Sequence, residues 1–131
     1  MSEQPPSSEI SHYSREQVIE AFRKFPERGI TSPDDLPDND LEVVEANNIL
    51  DAWTQQAQNE AKRQGTPEAD FEFELDRSTI FTDAGFEDPD YLDEVANDWL
   101  VQDLQRAEDA GLTDIASKIQ AKMDQIQAKL P

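Results

Sequence analysis

The longest helical pattern in this chain is DLEVVEANNILDAWTQQAQNEAKRQG, residues 40–65. Apolar side chains recur along it at helical spacing, and this stripe comprises Val43, Leu50, Trp53, Ala57 and Ala61. Gly65 follows the last turn and is a suitable C-terminal cap, because glycine readily adopts the left-handed backbone that ends many helices. The acidic residues at its start favour the positive end of the helix dipole. The pattern therefore predicts a helix that begins near Asn39 or Asp40 and ends at Gln64.

A first, shorter helix is predicted by the capping-box pattern of Ser14 and Gln17. It continues to Pro26, and its apolar stripe is Val18, Ile19, Phe22 and Phe25. Residues 1–13 have no such periodicity and predict a flexible N-terminal tail. The remaining residues, 14–131, have the length of a single domain.

Two further helices are predicted in the last third of the chain. Asp88 is a good N-cap and Pro89 suits the first helical position, so a third helix is expected to reach about Ala110. Thr113 is the expected N-cap of the last helix, and the short connection predicts an antiparallel pair. The predicted buried stripes are Leu92, Val95, Trp99 and Leu100 or Leu104 in one helix, and Ile115, Ile119, Met123, Ile126 and Leu130 in the other.

Between the second and third helices the hydrophobic period changes to two. The alternating apolar residues are Phe71, Phe73 and Leu75, and the polar residues between and after them are Glu72, Glu74 and Asp76. Such alternation is typical of a half-buried strand, and residues 79–82 are the expected partner strand. The sequence therefore predicts a mainly α fold of the α+β class, with about four helices and a small β-hairpin in a single domain.

The composition argues against several classes of function. The 131 residues include 30 acidic and 11 basic side chains, for a formal net charge of −19. Such a surface repels phosphate groups, so we expect no direct binding to nucleic acid or to anionic membrane. The chain has no cysteine and one histidine, His12, which argues against zinc sites and the usual catalytic triads. Without a signal-peptide pattern or a membrane-spanning apolar run, we expect a cytoplasmic monomer.

The acidic residues are concentrated in two stretches. Residues 34–45 contain six carboxylates, and the nearest basic residues in sequence are Arg28 and Lys62. The second stretch contains eight carboxylates between Arg77 and Arg106, with no Lys or Arg among them. Like charges at this density destabilise a compact state. We therefore expect the neutralising cations to come from outside the chain, as a hard metal ion or a basic macromolecule.

Calcium suits both stretches, because it binds six to eight oxygen ligands from carboxylates, amides and backbone carbonyls on loops. Residues 34–42 and residues 83–90 supply these ligand types, and Gly85 allows a tight bend in the second loop. Neither loop is an EF-hand. Counted from the first aspartate of the second loop, Glu94 occupies position twelve, but Asp88 stands where the obligatory glycine belongs. We expect Ca²⁺ to bind with micromolar or weaker affinity and in preference to Mg²⁺.

Other functions stay open on the residues alone. A small acidic helical protein can present carboxylates to a basic protein surface in imitation of nucleic acid. The outer face of the third predicted helix offers Asp90, Asp93, Glu94 and Asp98 for this purpose. A salt-adapted surface would also be acidic, but its charge would be spread evenly.

Catalysis is not expected. Paired carboxylates can hydrolyse glycosides, and Glu72 with Glu74 or Asp76 is such a pair. Their alternation is more typical of the solvated face of a strand. The sequence contains no phosphate-binding glycine loop and no activated nucleophile, so we expect a protein that is not an enzyme.

The small size, the acidity and two segments resemble the cyanobacterial calcium-binding protein family, CcbP. The segments are residues 32–38, SPDDLPD, and residues 81–92, FTDAGFEDPDYL, with DWL at residues 98–100. The resemblance implies a cytoplasmic calcium buffer without an EF-hand, which binds about two ions and is linked to heterocyst differentiation. It makes Asp38 the leading candidate ligand. The full set of candidates is Asp34, Asp35, Asp38, Asp40 and Glu42 in the first loop, and Asp83, Glu87, Asp88 and Asp90 in the second.

Overall fold

Helices account for all the regular secondary structure in the computed structural model, which describes residues 12–131. The α-helices are α1 (Arg15–Glu27), α2 (Leu41–Gln64), α3 (Pro67–Ser78), α4 (Ile80–Ala84), α5 (Pro89–Glu94), α6 (Leu100–Asp109) and α7 (Thr113–Gln127). A short 3-10 turn spans Pro33–Asp35, and a π-helical segment, Val95–Trp99, joins α5 to α6. No strand occurs between residues 12 and 131, so the predicted β-hairpin is wrong and the fold is all-α.

Local capping fixes the ends of α1 and α2. The Ser14 hydroxyl accepts a hydrogen bond from the Gln17 N–H at 3.1 Å, and the Gln17 side chain accepts one from the Ser14 N–H at 2.7 Å. The predicted capping box is therefore confirmed. Asp40 is the N-cap of α2, and Gly65 ends that helix with a φ of 68°. The predicted bounds of α2 are confirmed as well.

Most of the predicted N-terminal tail, residues 1–13, lies outside the described residues. Tyr13 is described, and its N–H donates a hydrogen bond to Oε1 of Gln56 at 3.0 Å. The Tyr13 ring is half-buried and packs against the core formed with α1 and α2. The segment just before α1 therefore also packs against α2.

The segment predicted as a first strand is α3, whose N-terminus is capped locally. The Thr66 hydroxyl accepts a hydrogen bond from the Ala69 N–H at 3.2 Å. Pro67 occupies the first helical position, where its missing N–H costs nothing. The predicted partner strand, residues 79–82, begins α4 instead.

Apolar and polar residues alternate in this part of α3 because the helix has apolar neighbours on more than one side. Phe73 stacks on Trp53 of α2, with ring centroids 6.2 Å apart. Phe71 and Leu75, one helical turn apart, pack instead among residues of α6 and α7. A helix wedged between two neighbours therefore carries the spacing expected of a strand.

The buried apolar residues form two cores. The first core comprises Val18, Ile19, Phe22, Phe25, Val43, Ala46, Leu50, Trp53, Ile80, Ala84 and Phe86. The second comprises Phe71, Tyr91, Leu92, Val95, Ala96, Leu100, Ala107, Ile115, Ile119, Met123 and Ile126. Phe81, on α4, packs against both. The short helix α4 therefore joins the two halves of the fold.

The third predicted helix is present, but the π-helical segment Val95–Trp99 interrupts its hydrogen-bond pattern. A π-bulge inserts an extra residue and rotates the side chains that follow it. Val95 and Leu100 are fully buried, whereas Trp99 is 36% exposed and touches Tyr91 edge to face. The prediction that Trp99 is a core residue is therefore wrong.

The last two helices pack as an antiparallel pair, as predicted. Their connection is a tight turn at Gly111, where φ is 76°, and Nε2 of Gln127 near the end of α7 donates to Oδ1 of Asn97 before α6. Thr113 is the first residue of α7 and not its N-cap, which is Leu112. No helix among residues 12–131 combines the length and the apolar character needed to cross a membrane.

Candidate functional site

The first acidic loop connects α1 to α2 and is shaped by local hydrogen bonds. The Ser32 hydroxyl accepts a hydrogen bond from the Asp34 N–H at 3.3 Å and begins the 3-10 turn. The Thr31 carbonyl accepts a bond from the Asp88 N–H at 3.0 Å. This last contact places the start of the first loop beside the end of the second, which the sequence did not predict.

Two of the five carboxylates predicted as ligands in the first loop have structural roles. Oδ1 of Asp40 accepts hydrogen bonds from the Glu42 N–H at 2.8 Å and the Val43 N–H at 3.4 Å, and so caps α2. Oε1 of Glu42 lies 2.8 Å from the Arg28 guanidinium, and Oε2 lies 3.3 Å from the Lys24 ammonium. Hydrogen bonds from these two cations lower the pKa of Glu42. The expectation that nothing in the chain neutralises this stretch is therefore wrong at Glu42.

The other three carboxylates of the first loop are exposed. The side chains of Asp34, Asp35 and Asp38 form no hydrogen bond or ion pair with any residue of the described range 12–131. The backbone holds them close in sequence, with the 3-10 turn at Asp34 and Asp35 and Pro37 immediately before Asp38. They are the carboxylates of this loop that remain available to a cation.

A cleft of about 430 Å³ lies between this loop, α2 and α3. Asp34 and Asp38 line it from the loop, Asp51 and Asn47 from α2, and Arg77 from α3. Arg77 forms no ion pair within the described residues, although it is half-buried. Asp51 was not predicted as a site residue, because it lies outside the buried stripe of α2 and far from the loop in sequence. Its position one turn after Asn47 was the signal that could have placed both on one face.

Asp83, the first carboxylate of the second loop, is fully engaged in ion pairs. Its Oδ2 lies 2.8 Å from Nη2 of Arg15, and its Oδ1 lies 2.9 Å from Nζ of Lys122. The same Arg15 nitrogen donates to the Thr79 hydroxyl at 2.9 Å. Asp83 thus connects α4 to α1 on one side and to α7 on the other. Neither cation was apparent from the sequence near Asp83.

The remaining candidate ligands of the second loop also divide into carboxylates with structural partners and carboxylates without them. Oδ2 of Asp88 accepts a hydrogen bond from the Tyr91 N–H at 3.1 Å and caps α5, as its predicted capping role requires. Oε2 of Glu87 lies 3.6 Å from Nζ of Lys129. Asp90 is exposed and contacts no basic side chain among residues 12–131. The second loop therefore brings fewer uncommitted carboxylates together than the first.

The outer face of α5 and the π-helical segment carries a row of carboxylates: Asp90, Asp93, Glu94 and Asp98. No member of this acidic row forms an ion pair within the described part of the chain. Asp93 accepts a hydrogen bond from Asn97 and Asp98 accepts one from Gln102, both at 2.7 Å. These neutral amides orient the carboxylates but leave their charge uncompensated.

Two titratable groups are buried in the second half of the fold. The side chain of Asp103 is 11% exposed and lies 2.9 Å from Nη1 of Arg106. Burial, and then the nearby charge of Glu74, raise its pKa. Burial also raises the pKa of Tyr91. Both groups face packed helices, and neither lines the cleft at Asp38.

Of the two carboxylate pairings considered for catalysis, the helix separates Glu74 from Glu72 but keeps Asp76, one turn after Glu72, on the same shallow cleft. Glu72 forms an ion pair with Lys118 of α7, and Asp76 lies 3.9 Å from Nε of Arg15. These contacts hold α3 against its neighbours. Among residues 12–131, no three His, Asp or Glu side chains already converge on a point that would hold a metal ion.

Comparison with known proteins does not place the chain in a family. No family model, no curated protein and no solved structure matches it. The resemblance to the cyanobacterial calcium-binding proteins therefore stays a prediction.

Proposed function

We propose that this protein binds Ca²⁺ through carboxylates of the connection between α1 and α2 together with Asp51 of α2, and that it does so without catalysing a reaction. The observation that carries the proposal is the cleft between the loop, α2 and α3. Asp34, Asp38 and Asp51 line it together, and their carboxylates form no ion pair with residues 12–131. Three uncommitted carboxylates around one cleft attract a divalent cation more strongly than isolated surface charges do.

The chemistry of the donors suits calcium. Carboxylate oxygens, supplemented by the side-chain carbonyl of Asn47 on the same cleft, are the hard ligands that Ca²⁺ prefers. Mg²⁺ demands a smaller, regular octahedron and gives up its water reluctantly, so it is expected to bind less well. The donor set therefore fits calcium, with Asp38 as the central candidate from the loop.

The affinity is expected to be micromolar or weaker. The carboxylates do not already converge on one point, so binding has to restrict exposed side chains that are otherwise free to rotate. The half-buried Arg77 guanidinium lines the same cleft and repels a cation. A site of this kind suits a calcium buffer.

We centre the proposal on the first loop because the second loop is occupied by the chain's own cations. A metal ion at Asp83 would have to displace Arg15 and Lys122, each within 3 Å of that carboxylate. A metal ion at Asp88 would compete with the N-cap of α5. These displacements would oppose binding at the second loop.

The proposal is tested by calorimetric titration of the full chain with Ca²⁺ in about 0.15 M salt, with Mg²⁺ as the competing ion. Asp38→Asn and Asp51→Asn are each expected to weaken Ca²⁺ binding roughly tenfold, since each removes one charge next to a dication. Asp124→Asn is the matched control, because Asp124 is exposed on α7 and its side chain bonds, among residues 12–131, only to Gln120. It is expected to change the affinity by less than about twofold.

The absence of saturable binding would refute the proposal. So would equal responses to Ca²⁺ and Mg²⁺, or equal losses in all three variants, since either result indicates a diffuse cloud of counterions.

A second candidate function, binding to a basic protein surface, is favoured by the acidic row on α5 and the π-helical segment. Its four carboxylates lack any ion pair within the described residues, and the partly exposed Trp99 lies beside them. A lysine-rich peptide is the probe, measured with wild type and with Asp93→Asn/Asp98→Asn. If the row binds it, the double variant weakens binding at low salt and Asp38→Asn does not.

A further inference from the structure

A shallow, mainly apolar groove of about 450 Å³ lies between α1 and α2, on a different part of the surface from the cleft at Asp38. Tyr13, Ala21 and Ile49 supply its apolar surface. All three are partly buried and pack against the first core. The groove is therefore an open continuation of a rigid core.

The groove follows two antiparallel helices. At one end the Lys24 ammonium lies 3.3 Å from Oε2 of Glu42, and at the other the Tyr13 N–H donates to Gln56 at 3.0 Å. At 1.5 Å rise per residue, the α2 residues between these two contacts span about 21 Å. That is the length of a partner helix of about four turns.

An exposed apolar side chain lies on α2 outside the groove, on the far side of Glu45. Leu41 is 84% exposed, the most exposed of the large apolar side chains in the described chain. It precedes Ile49 by eight residues, so the two side chains point about 80° apart around the helix axis. A partner helix that extends past the groove towards the start of α2 would contact Leu41.

The rim of the groove is acidic. Glu16 and Glu20 line it from α1. Glu45 of α2 is not part of the lining but lies one turn before Ile49, next to the groove. Glu20 pairs with Arg23 at 2.8 Å, whereas Glu16 and Glu45 form no ion pair with residues 12–131. Within the described part of the chain, Lys24 is the one basic residue that lines the groove, and Glu42 neutralises it.

We propose that this groove binds a cationic amphipathic helix of another protein. An apolar stripe at helical spacing would fill the groove between Tyr13 and Ile49, and Lys or Arg beside the stripe would face Glu16 and Glu45. A second copy of this chain is a poor occupant, because each copy carries a formal charge of −19. The inference is independent of calcium binding, which involves a different surface.

The test uses a fluorescein-labelled helical peptide of 16 residues, with leucines on one face and lysines elsewhere, and a scrambled peptide of the same composition. Both carry the same charge, so any difference between them reports the apolar stripe. The full chain is expected to bind the amphipathic peptide roughly tenfold more tightly, as burial of one or two leucines would give. Fluorescence anisotropy measures both affinities.

Leu41→Glu and Ile49→Glu separate groove binding from general attraction, because each adds negative charge while removing apolar surface. Each is expected to weaken peptide binding roughly fivefold or more, against the electrostatic trend. Val101→Glu is the matched control, since Val101 is 41% exposed on α6 and its replacement adds the same charge elsewhere. It is expected to leave binding unchanged or slightly tighter.

Because Leu41 is exposed and does not belong to the core, Leu41→Glu is expected to fold. It therefore still tests the proposal if Ile49→Glu fails to fold. Equal binding of the two peptides would overturn the proposal, and so would tighter binding by Leu41→Glu. An NMR titration with the peptide gives a further test. Amide chemical-shift changes confined to α5, with none at Ala21 and Ile49, would overturn the proposal and would show that the peptide binds the acidic row.

Discussion

Replacement of Asp83 with asparagine is expected to loosen the contact between the two halves of the fold. Asp83 lies on α4 and is paired with Arg15 of α1 and Lys122 of α7. Asparagine keeps the shape of the side chain and removes its charge. The two cations would then face each other across α4 without the carboxylate that separates them.

The size of the effect follows from exposure. The side chains of Asp83, Arg15 and Lys122 are 24%, 25% and 25% exposed. Fully exposed ion pairs contribute about 0.2–1 kcal/mol, and removal of one partner of a buried pair costs about 3–5 kcal/mol. A quarter-exposed network with two partners lies between these limits, so we expect a loss of about 2 kcal/mol.

Urea unfolding monitored by circular dichroism at 222 nm measures this loss. With a slope of about 1–3 kcal/mol per M urea, a loss of 2 kcal/mol lowers the midpoint by roughly 1 M. Glu20→Gln is the control, because its pair with Arg23 is within one helix and its side chain is 62% exposed. That variant is expected to lose less than about 0.5 kcal/mol.

A midpoint shift for Asp83→Asn no larger than that of Glu20→Gln would refute the reasoning. The same variant also distinguishes the ion-pair role from the ligand role predicted for Asp83 from sequence. As an ion-pair partner, Asp83 affects stability and leaves the calcium titration unchanged. Loss of calcium binding with unchanged stability would instead support a metal site in the second loop.

Two further predictions concern the second core and the helix that replaces the predicted strand. Burial raises the pKa of Asp103 in the folded state, so on acidification the native protein binds a proton there at a higher pH than the unfolded chain does. The protonation of Asp103 therefore increases the stability of the fold as the pH falls through the folded-state pKa. Asp103→Asn is therefore expected to be more stable than wild type at pH 7. Urea unfolding at several pH values should show this difference in stability becoming smaller towards pH 4. A difference that does not depend on pH would contradict the role of burial. Phe73→Ala removes the ring that stacks on Trp53 and is expected to cost about 2 kcal/mol, with a red shift of tryptophan emission as Trp53 becomes wetter. Phe73→Leu is its control, and an unchanged emission spectrum in Phe73→Ala would show that the stacking does not shield Trp53.

The elements that the sequence predicted well depend on contacts between near neighbours. Ser14 and Gln17 cap each other across three residues, and Asp40 and Gly65 mark the ends of α2 through their own backbone requirements. Propensity and capping decide such features before tertiary packing does. The prediction therefore succeeded for α1 and α2.

The failures depend on contacts between distant residues. The alternation of Phe71, Phe73 and Leu75 reflects neighbours on several sides of α3, which a period alone does not distinguish from the two faces of a sheet. The neutralisation of Asp83 comes from Arg15, 68 residues earlier, and Lys122, 39 residues later. A stretch without basic residues in sequence is therefore not a region without positive charge in space.

The same contacts explain how so acidic a chain forms two packed cores. Nine of its eleven Lys and Arg residues form ion pairs with described residues, and only Lys62 and Arg77 do not. Several of these pairs join different helices, as at Glu42, Glu72 and Asp83. Because positive charge is scarce, its concentration at helix contacts leaves the outer carboxylates uncompensated. Those carboxylates are exposed to solvent, so the charge pattern that stabilises the fold also concentrates uncompensated negative charge on its surface.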